Sequence, residues 1–565
     1  MSGEASASGI GNRRAVLAAA LILMLIAAAW LRLRGIGFGL PALNDPDELI
    51  FEMGAVRMLR EHTLNPGWFG HPATTTMYAL AVLNVATYLV SHLAGWTTDV
   101  KHFADAIYAD PGLVILPGRM LMLVFGLLSI FLTWRLGRLL FGPAAGLAAA
   151  GLLAVNPVHV IYSQIIRSDM LACVFMLLCL HVAVTIAREG KRRDYVKAAI
   201  WLALAIATKW PFAAVGIAVA GAGVLRLIRH PQARAATIRN LALFALCTPI
   251  ALFLVSPFLL LDYPTVLANL NGEAQLHHLG ATGGTALANA GWYLRFPLRA
   301  AFGIAGLLLV AAGLVTTARN REIRAVIAPV LIGFLLLIAS QNLVWERWIL
   351  PLMAPLSIVA GAALVRMAVF LRTRLGTAPG TAAALIVALV IVVPLVGDVL
   401  ANARERMNDT RQIASRWAVR AIPAGSTILL EHFAFDLEAQ PWTFLFPLGT
   451  AGCVDARSFI SGKAEYAAID KLRGGRSNLD FGTTPPAKLS SCRADYAIVT
   501  QYDRYRAERD RFPAEYANYR RLLAAGTLVA TFRPTRGVRG GPVVRIIRFD
   551  RRDESAPPAP TGVAF

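Results

Sequence analysis

Asn44-Asp45-Pro46-Asp47-Glu48 follows shortly after the first apolar run of the chain, residues 15–31. Three carboxylates in four positions beside a membrane segment are costly against hydrocarbon, so they belong to a polar site that faces water. A second membrane-edge acid stands in Arg167-Ser168-Asp169. If both acids share one side of the bilayer, they describe an active site opening at the membrane surface rather than a channel wall.

The rest of the chain supports a membrane setting. Hydrophobic residues make up 56% of 565, and charged residues only 16%, against about a quarter in soluble domains. Apolar runs suited to helical spans occur at 15–31, 117–138, 143–161, 169–187, 195–208, 211–228, 240–260, 297–317, 325–341, 348–370 and 380–400. A further run, 72–94, carries Thr74, Thr75, Thr76, Asn84, Ser91 and His92 and reads as a helix lying in the interface.

The net charge of +21 has a topological explanation. Arg135 and Arg138, the group Arg188 to Arg193, the group Arg226 to Arg239, Arg319 to Arg324, and Arg366 to Arg374 fill five short connections. Placing these connections and the N-terminus in the cytoplasm makes all eleven spans alternate, provided 72–94 does not cross. The first loop (35–115), Asp169, the 262–296 loop, Trp345–Arg347 and everything after 402 then lie outside. Arg13 and Arg14 before the first run, with Arg32 and Arg34 after it, suit an uncleaved anchor. The basic excess carries no nucleic-acid motif, and no phosphate-cradling G-x-x-x-x-G-K-[ST] loop is present.

Past residue 402 the texture changes to short strands, at Ser426–Glu431, Ala494–Thr500 and Val543–Phe549, with a helical stretch at Tyr502–Arg511. The expected organisation is a transmembrane part over 1–401, a mixed α/β soluble domain over 402–555 and a disordered tail over 556–565. Cys173, Cys179 and Cys247 fall in apolar runs and read as small buried hydrophobes. Cys453 and Cys492 lie in the polar domain, where they form a disulfide if that domain is outside and two free thiols otherwise.

Several charged residues at span edges invite both a chemical and a structural reading. Asp47 or Glu48 suits a general base for an incoming hydroxyl, or, with Asp45, a hard-oxygen ligand set for a divalent metal. Asp45 before Pro46 is equally a good helix start. Asp169 is a second carboxylate or an N-cap. Arg167 beside it pairs with an acid or binds an anion. Lys209 in Lys209-Trp210-Pro211 is a snorkelling lysine or a phosphate ligand, and Arg347 suits a bidentate phosphate clamp. Adjacent His277 and His278 do not face one metal well in regular structure.

Taken in order, these stretches resemble the membrane-embedded GT-C glycosyltransferases, above all the lipid A aminoarabinose transferases and protein O-mannosyltransferases. Asn44–Glu48 resembles their outer-loop acidic motif, and His71-Pro72-Ala73-Thr74 their Lys/His-Pro-Pro segment. Arg138–Gly142 with Asn156-Pro157 is similar to their first cytoplasmic hairpin, and Ser163 to Asp169 to their second acidic site. Thr208-Lys209-Trp210-Pro211 resembles a Thr-Lys-Gly-Pro turn, and Arg347-Trp348-Ile349-Leu350-Pro351 an Arg-Tyr-x-x-Pro element.

The resemblance implies a polytopic α-helical GT-C fold of about eleven spans, with interfacial helices in the first outer loop. It implies an inverting transfer of a sugar from a polyprenyl-phosphate donor to a hydroxyl or phosphate of an envelope glycolipid, glycan or protein. Asp47, Glu48 and Asp169 would be catalytic, while Lys209, Arg347, Arg167 and His71 would hold the donor phosphate. His71 stands where relatives often have Lys. A bacterial inner-membrane location follows, with the soluble domain periplasmic. The competing class is a transporter or flippase of lipid-linked substrates. Such proteins tend to place charge near the midplane, often in inverted repeats, whereas these acids lie at span edges and no mirrored halves are visible.

Overall fold

Gly142 and Gly376 show how the sequence folds this chain into adjacent helices. Each has a φ of +90°, a region open to glycine at no steric cost. Each ends one helix and leads directly into the next: Gly112–Phe141 into Pro143–Ala154, and Leu350–Leu375 into Thr377–Met407. Residues 143–151 are nearly all Ala and Gly, so neighbouring backbones approach closely, as in many membrane bundles. A Cβ on Gly146 would lie 2.6 Å from the Trp134 carbonyl, and one on Gly361 2.6 Å from the Ala149 nitrogen.

The computed structural model describes residues 2–550 except 433, 458–471 and 473–477, with side chains from residue 15 onward. The expected tail, 556–565, lies outside the described residues. The chain divides into two units. The first comprises 1–36, 47–274 and 283–402. The second comprises 37–46, 275–282 and 403 onward, so two short stretches from earlier in the chain join the C-terminal region expected from 402.

In the first unit we label α1 (Ser2–Leu33), α2 (Asp47–Arg60), α3 (Thr74–Leu93), α4 (Val100–Ala109), α5 (Gly112–Phe141), α6 (Pro143–Ala154), α7 (Pro157–Tyr162), α8 (Ser168–Arg188) and α9 (Arg192–Thr208). Among the described residues nine helices are long and apolar enough to cross a membrane, and Pro143–Ala154 and Ile323–Ala339 are shorter apolar helices. The chain is a multi-pass membrane protein. The run read as interfacial forms α3, whose 20 residues also have the length and composition of a span. The run at 195–208 becomes α9, 17 residues long.

Burial ranks these helices. In the apolar window of α8, 72% is buried, and in that of Glu346–Leu375, 83%, against 6% in Pro231–Val255. The two innermost segments therefore bring Asp169 and Arg347 in at their starts.

The second unit holds a six-stranded sheet: β1 (Thr427–Leu430), β2 (Thr443–Pro447), β3 (Cys453–Asp455), β4 (Tyr496–Val499), β5 (Thr527–Phe532) and β6 (Val544–Arg548). Its order is β3-β2-β1-β4-β6-β5. The central β2-β1-β4 pairings are parallel, and the outer pairings are antiparallel. Alternation along the strands serves two cores. Ile428, Leu430, Ile498 and Ile546 pack with Ala414 and Ala418 on one face. Leu429, Ala497, Val499 and Ile547 pack with Tyr505 and Tyr519 on the other. Cys453 and Cys492 form a disulfide. Cys173 and Cys179 are buried and Cys247 partly so, all three as free thiols.

Candidate active site

Four breaks in helical structure build this site, where backbone groups lose their intrahelical partners. These are the start of α2, the bend between α7 and α8, the end of α9, and the short helix Glu346–Ile349. α2 opens with Asp47 and Glu48 in its first turn, a favourable place for negative charge.

These neighbouring acids have different partners. Glu48 is fully buried and bidentate with Arg119 of α5, Nε to Oε1 at 2.8 Å and Nη2 to Oε2 at 2.6 Å. The backbone N–H of Ile166 also donates to Glu48 Oε1 at 3.0 Å, and Arg119 Nη1 donates to the Ile36 carbonyl at 2.8 Å. Glu48 thus ties α2 to α5 and to the bend before Asp169. It is expected from sequence beside Asp47 in chemistry, but its carboxylate is occupied by structural partners.

Asp47 is 33% open to solvent and lies 2.6 Å from Arg167 Nη1. Burial by itself raises its pKa, but the guanidinium groups of Arg167 and Arg347 and the nearby His71 bring it down to about 2. The carboxyl is ionised. Two residues past Arg167, Asp169 accepts the Lys209 ammonium at 2.5 Å, with both side chains about 5% exposed. Lys209 is aimed there by the break at Trp210-Pro211, where α9 gives way to a 3-10 turn.

Arg347 differs from these pairs. Its charge is felt by both Asp47 and Asp169, yet it has no ion pair within 4 Å among the described residues. Its Nε is buried without a hydrogen-bond acceptor among the described residues, and its guanidinium carbon sits 4.7 Å from the centre of the Trp345 ring. The Trp345 N–H donates to the Tyr293 hydroxyl at 3.3 Å, which fixes that ring's backbone. Tyr162 donates to Glu346 at 3.4 Å beside it.

His71 lies between Phe51 and Trp68, with ring centres at 6.4 and 5.4 Å. Burial, then Lys209 and Arg347, push its pKa down to about 3, so it is a neutral imidazole and offers an anion no full charge. Its segment is strapped to the end of α9. The Ala73 N–H donates to the Thr208 carbonyl at 3.1 Å, Thr75 and Thr208 hydroxyls meet at 2.5 Å, and Trp210 Nε1 donates to the Phe69 carbonyl at 3.1 Å.

The structure therefore brings Asp47, Arg167, Asp169, Lys209, Arg347 and His71 into one site, and turns Glu48 toward the scaffold. Sequence reasoning misses Arg119, Tyr162 and Tyr293. For Arg119 a signal exists: an arginine within the apolar run 117–138, well apart from Arg135 and Arg138 at its far end, calls for a buried partner. The donor set does not fit a divalent metal. Asp47 and Asp169 are each held by a cation, Glu48 is bidentate with Arg119, and no group of three His, Cys, Asp or Glu suited to a metal converges among the described residues.

Part of the sequence and the fold are similar to those of membrane-embedded glycosyltransferases. Residues 107–261 match the family model of the dolichyl-phosphate-mannose-protein mannosyltransferases. The oligosaccharyltransferase of Archaeoglobus fulgidus, solved with a tethered acceptor peptide, is similar in fold, with a TM-score of 0.50 at 11% identity over 92% of this chain and 73% of that one. ArnT from Cupriavidus metallidurans in the apo state gives 0.49 at 15% identity over 94% and 98%. No curated protein matches in sequence.

Proposed function

We propose that this chain moves a sugar from a polyprenyl-phosphate donor to a hydroxyl or phosphate of a cell-envelope acceptor, inverting the anomeric carbon, at the outer face of a bacterial inner membrane. The observation that carries this reading is Arg347, a cation without an ion pair among the described residues, placed between two carboxylate–cation pairs. The matched stretch 107–261 contains Arg167, Asp169 and Lys209, and its family is named for a lipid-phosphate sugar donor.

Three cations and two carboxylates leave one positive charge over, which suits the single negative charge of a sugar phosphodiester. The acceptor oxygen attacks the anomeric carbon as the bond from that carbon to the phosphate oxygen breaks. The acceptor proton passes to Asp47, and the lipid phosphate departs with its electron pair against Arg347 and Lys209. A carboxylate with a pKa of about 2 is a weak base. When Arg167 turns from Asp47 toward the donor phosphate, the carboxylate regains basicity at the moment it is needed. Asp169 positions Lys209, and Glu48 positions Asp47 through the start of α2. His71 packs as a neutral wall.

The test is transfer from a polyprenyl-phosphate sugar by purified protein, with candidate acceptors drawn from envelope glycolipids and glycoproteins. Asp47→Asn keeps the side-chain shape and removes the base, and a loss of about 10²–10⁴-fold per folded molecule is expected, with thermal unfolding somewhat lowered by loss of the Asp47–Arg167 pair. Near-normal turnover by a folded Asp47→Asn protein would defeat the assignment.

A further inference from the structure

The second unit contains a cavity that the transferase reading does not use. In its sheet the parallel strands run in the order β2-β1-β4. From β1 the chain forms β2 on one side and later β4 on the other, so the strand order reverses between β1 and β4. In open α/β sheets ligands bind in the crevice outside the carboxyl ends of the strands at such a point. A cavity of about 530 Å³ opens there, lined by His432 just past β1, by Thr500 and Gln501 just past β4, and by Arg411, Asp503 and Arg504. Small-molecule sites span about 300–1,000 Å³. The depression at the opposite, amino ends of the same strands is about 280 Å³.

The charges of the cavity point to the chemistry of its occupant. Asp503 is neutralised by Arg545, at 2.5 and 3.2 Å, and by Arg506 at 3.0 Å. Arg411 is held bidentately by Asp409 at 2.9 and 2.7 Å. Arg504 is exposed, has no ion pair within 4 Å among the described residues, and donates only to the Gln501 side-chain oxygen, at 3.3 Å. His432 is neutral, since burial and Arg411 push its pKa to about 3. Its Nδ1 accepts from the Ala434 N–H at 3.3 Å and its Nε2 faces the Thr500 hydroxyl at 3.3 Å. Thr500 is anchored by the buried Glu431, which accepts its N–H at 2.6 Å. Ala507, Pro542 and Val543 add an apolar wall.

We infer that this cavity binds an anionic sugar, with the acid group on Arg504, the hydroxyls near Gln501 and His432, and the ring's C–H face on the apolar wall. The inference stands apart from the transferase reading, because none of these residues belongs to the candidate active site.

The experiment uses the full chain in detergent carrying Arg347→Ala, which removes the proposed phosphate-binding cation of the first unit. Thermal unfolding serves as the folding control. Glucose 1-phosphate, galacturonate, glucose and inorganic phosphate are titrated by calorimetry. Both anionic sugars should bind, with glucose and inorganic phosphate at least about tenfold weaker, which is about 1.4 kcal/mol. Arg504→Ala should weaken the anionic sugars by a similar factor, and Arg504→Lys should restore most of it. Unchanged affinity in Arg504→Ala, or no binding of either anionic sugar, would overturn the site. Equal binding of inorganic phosphate and glucose 1-phosphate would overturn its assignment to a sugar.

Discussion

The Asp47 carboxylate lies 2.6 Å from Arg167, and the acidity of the first depends on the charge of the second. Burial acts to raise the Asp47 pKa, and Arg167 is the largest of the opposing charges that bring it to about 2. Arg167→Gln should therefore lift this pKa, and the acid limb of the kcat/KM profile should move to higher pH. The same pair has a stability signature. The folded pKa lies below the unfolded value of about 3.9, so its contribution is complete above about pH 4 and is lost as pH falls toward 2. An active Arg167→Gln enzyme with an unshifted acid limb would show that another group is the base.

Arg347→Ala should act on the donor rather than on the base. Hydrogen bonds to charged groups contribute about 1.5–3 kcal/mol, so donor KM should rise by about ten- to a hundredfold. Inhibition by free polyprenyl phosphate should weaken in parallel. Lys209→Ala should do the same, with added loss of stability because Asp169 is left buried and unpaired. Asp47→Asn should leave donor KM near normal. An unaltered donor KM in Arg347→Ala would remove it from the phosphate site.

Glu48→Gln and Arg119→Met should each destabilise the protein by about 3–5 kcal/mol, because each leaves one partner of a buried pair uncompensated. Combining Glu48→Met with Arg119→Met should recover much of that loss, since no lone charge remains. The readout is unfolding in detergent, with transfer measured per folded molecule. A Glu48→Gln protein as stable as the parent but without activity would return Glu48 to a catalytic role.

Orientation is checked with reporter fusions. Fusions after Arg193 and Arg321 should read cytoplasmic, and fusions after Asp262 and Asp409 should read outside. The Cys453–Cys492 disulfide adds a chemical test, because it persists in an oxidising compartment. Non-reducing mobility and thiol labelling should find both cysteines protected in cells. A cytoplasmic reading after Asp409 together with two alkylated thiols would reverse the proposed topology.

Much of this architecture is visible in the sequence because it rests on local patterns. The spans are continuous apolar runs, and β1, β4 and β6 have apolar runs or alternation at 426–431, 494–500 and 543–549. β2 and β3 escape notice because they are short and fall where no periodicity develops. β5 is half open at an edge, so its residues need not alternate. Asp47, Arg167, Asp169, Lys209 and Arg347 stand out because each interrupts apolar sequence at a helix boundary. What no local pattern reveals is which acid pairs with which base. Glu48 looks like the twin of Asp47, and only the packed structure shows that Glu48 faces Arg119 while Asp47 faces Arg167. Arg347 is distinguished by being buried without an ion pair among the described residues, which is a property of the packed bundle alone.

The order in which Glu48 and Arg119 leave the ribosome bears on how this protein is assembled. Glu48 precedes Arg119 by 71 residues. The acid has therefore already emerged when the segment Gly112–Phe141 reaches the translocation machinery. An arginine entering within a span is costly against hydrocarbon, and a waiting carboxylate lowers that cost during insertion. Synthesised in the reverse order, the arginine would have to enter the bilayer before its counter-charge existed.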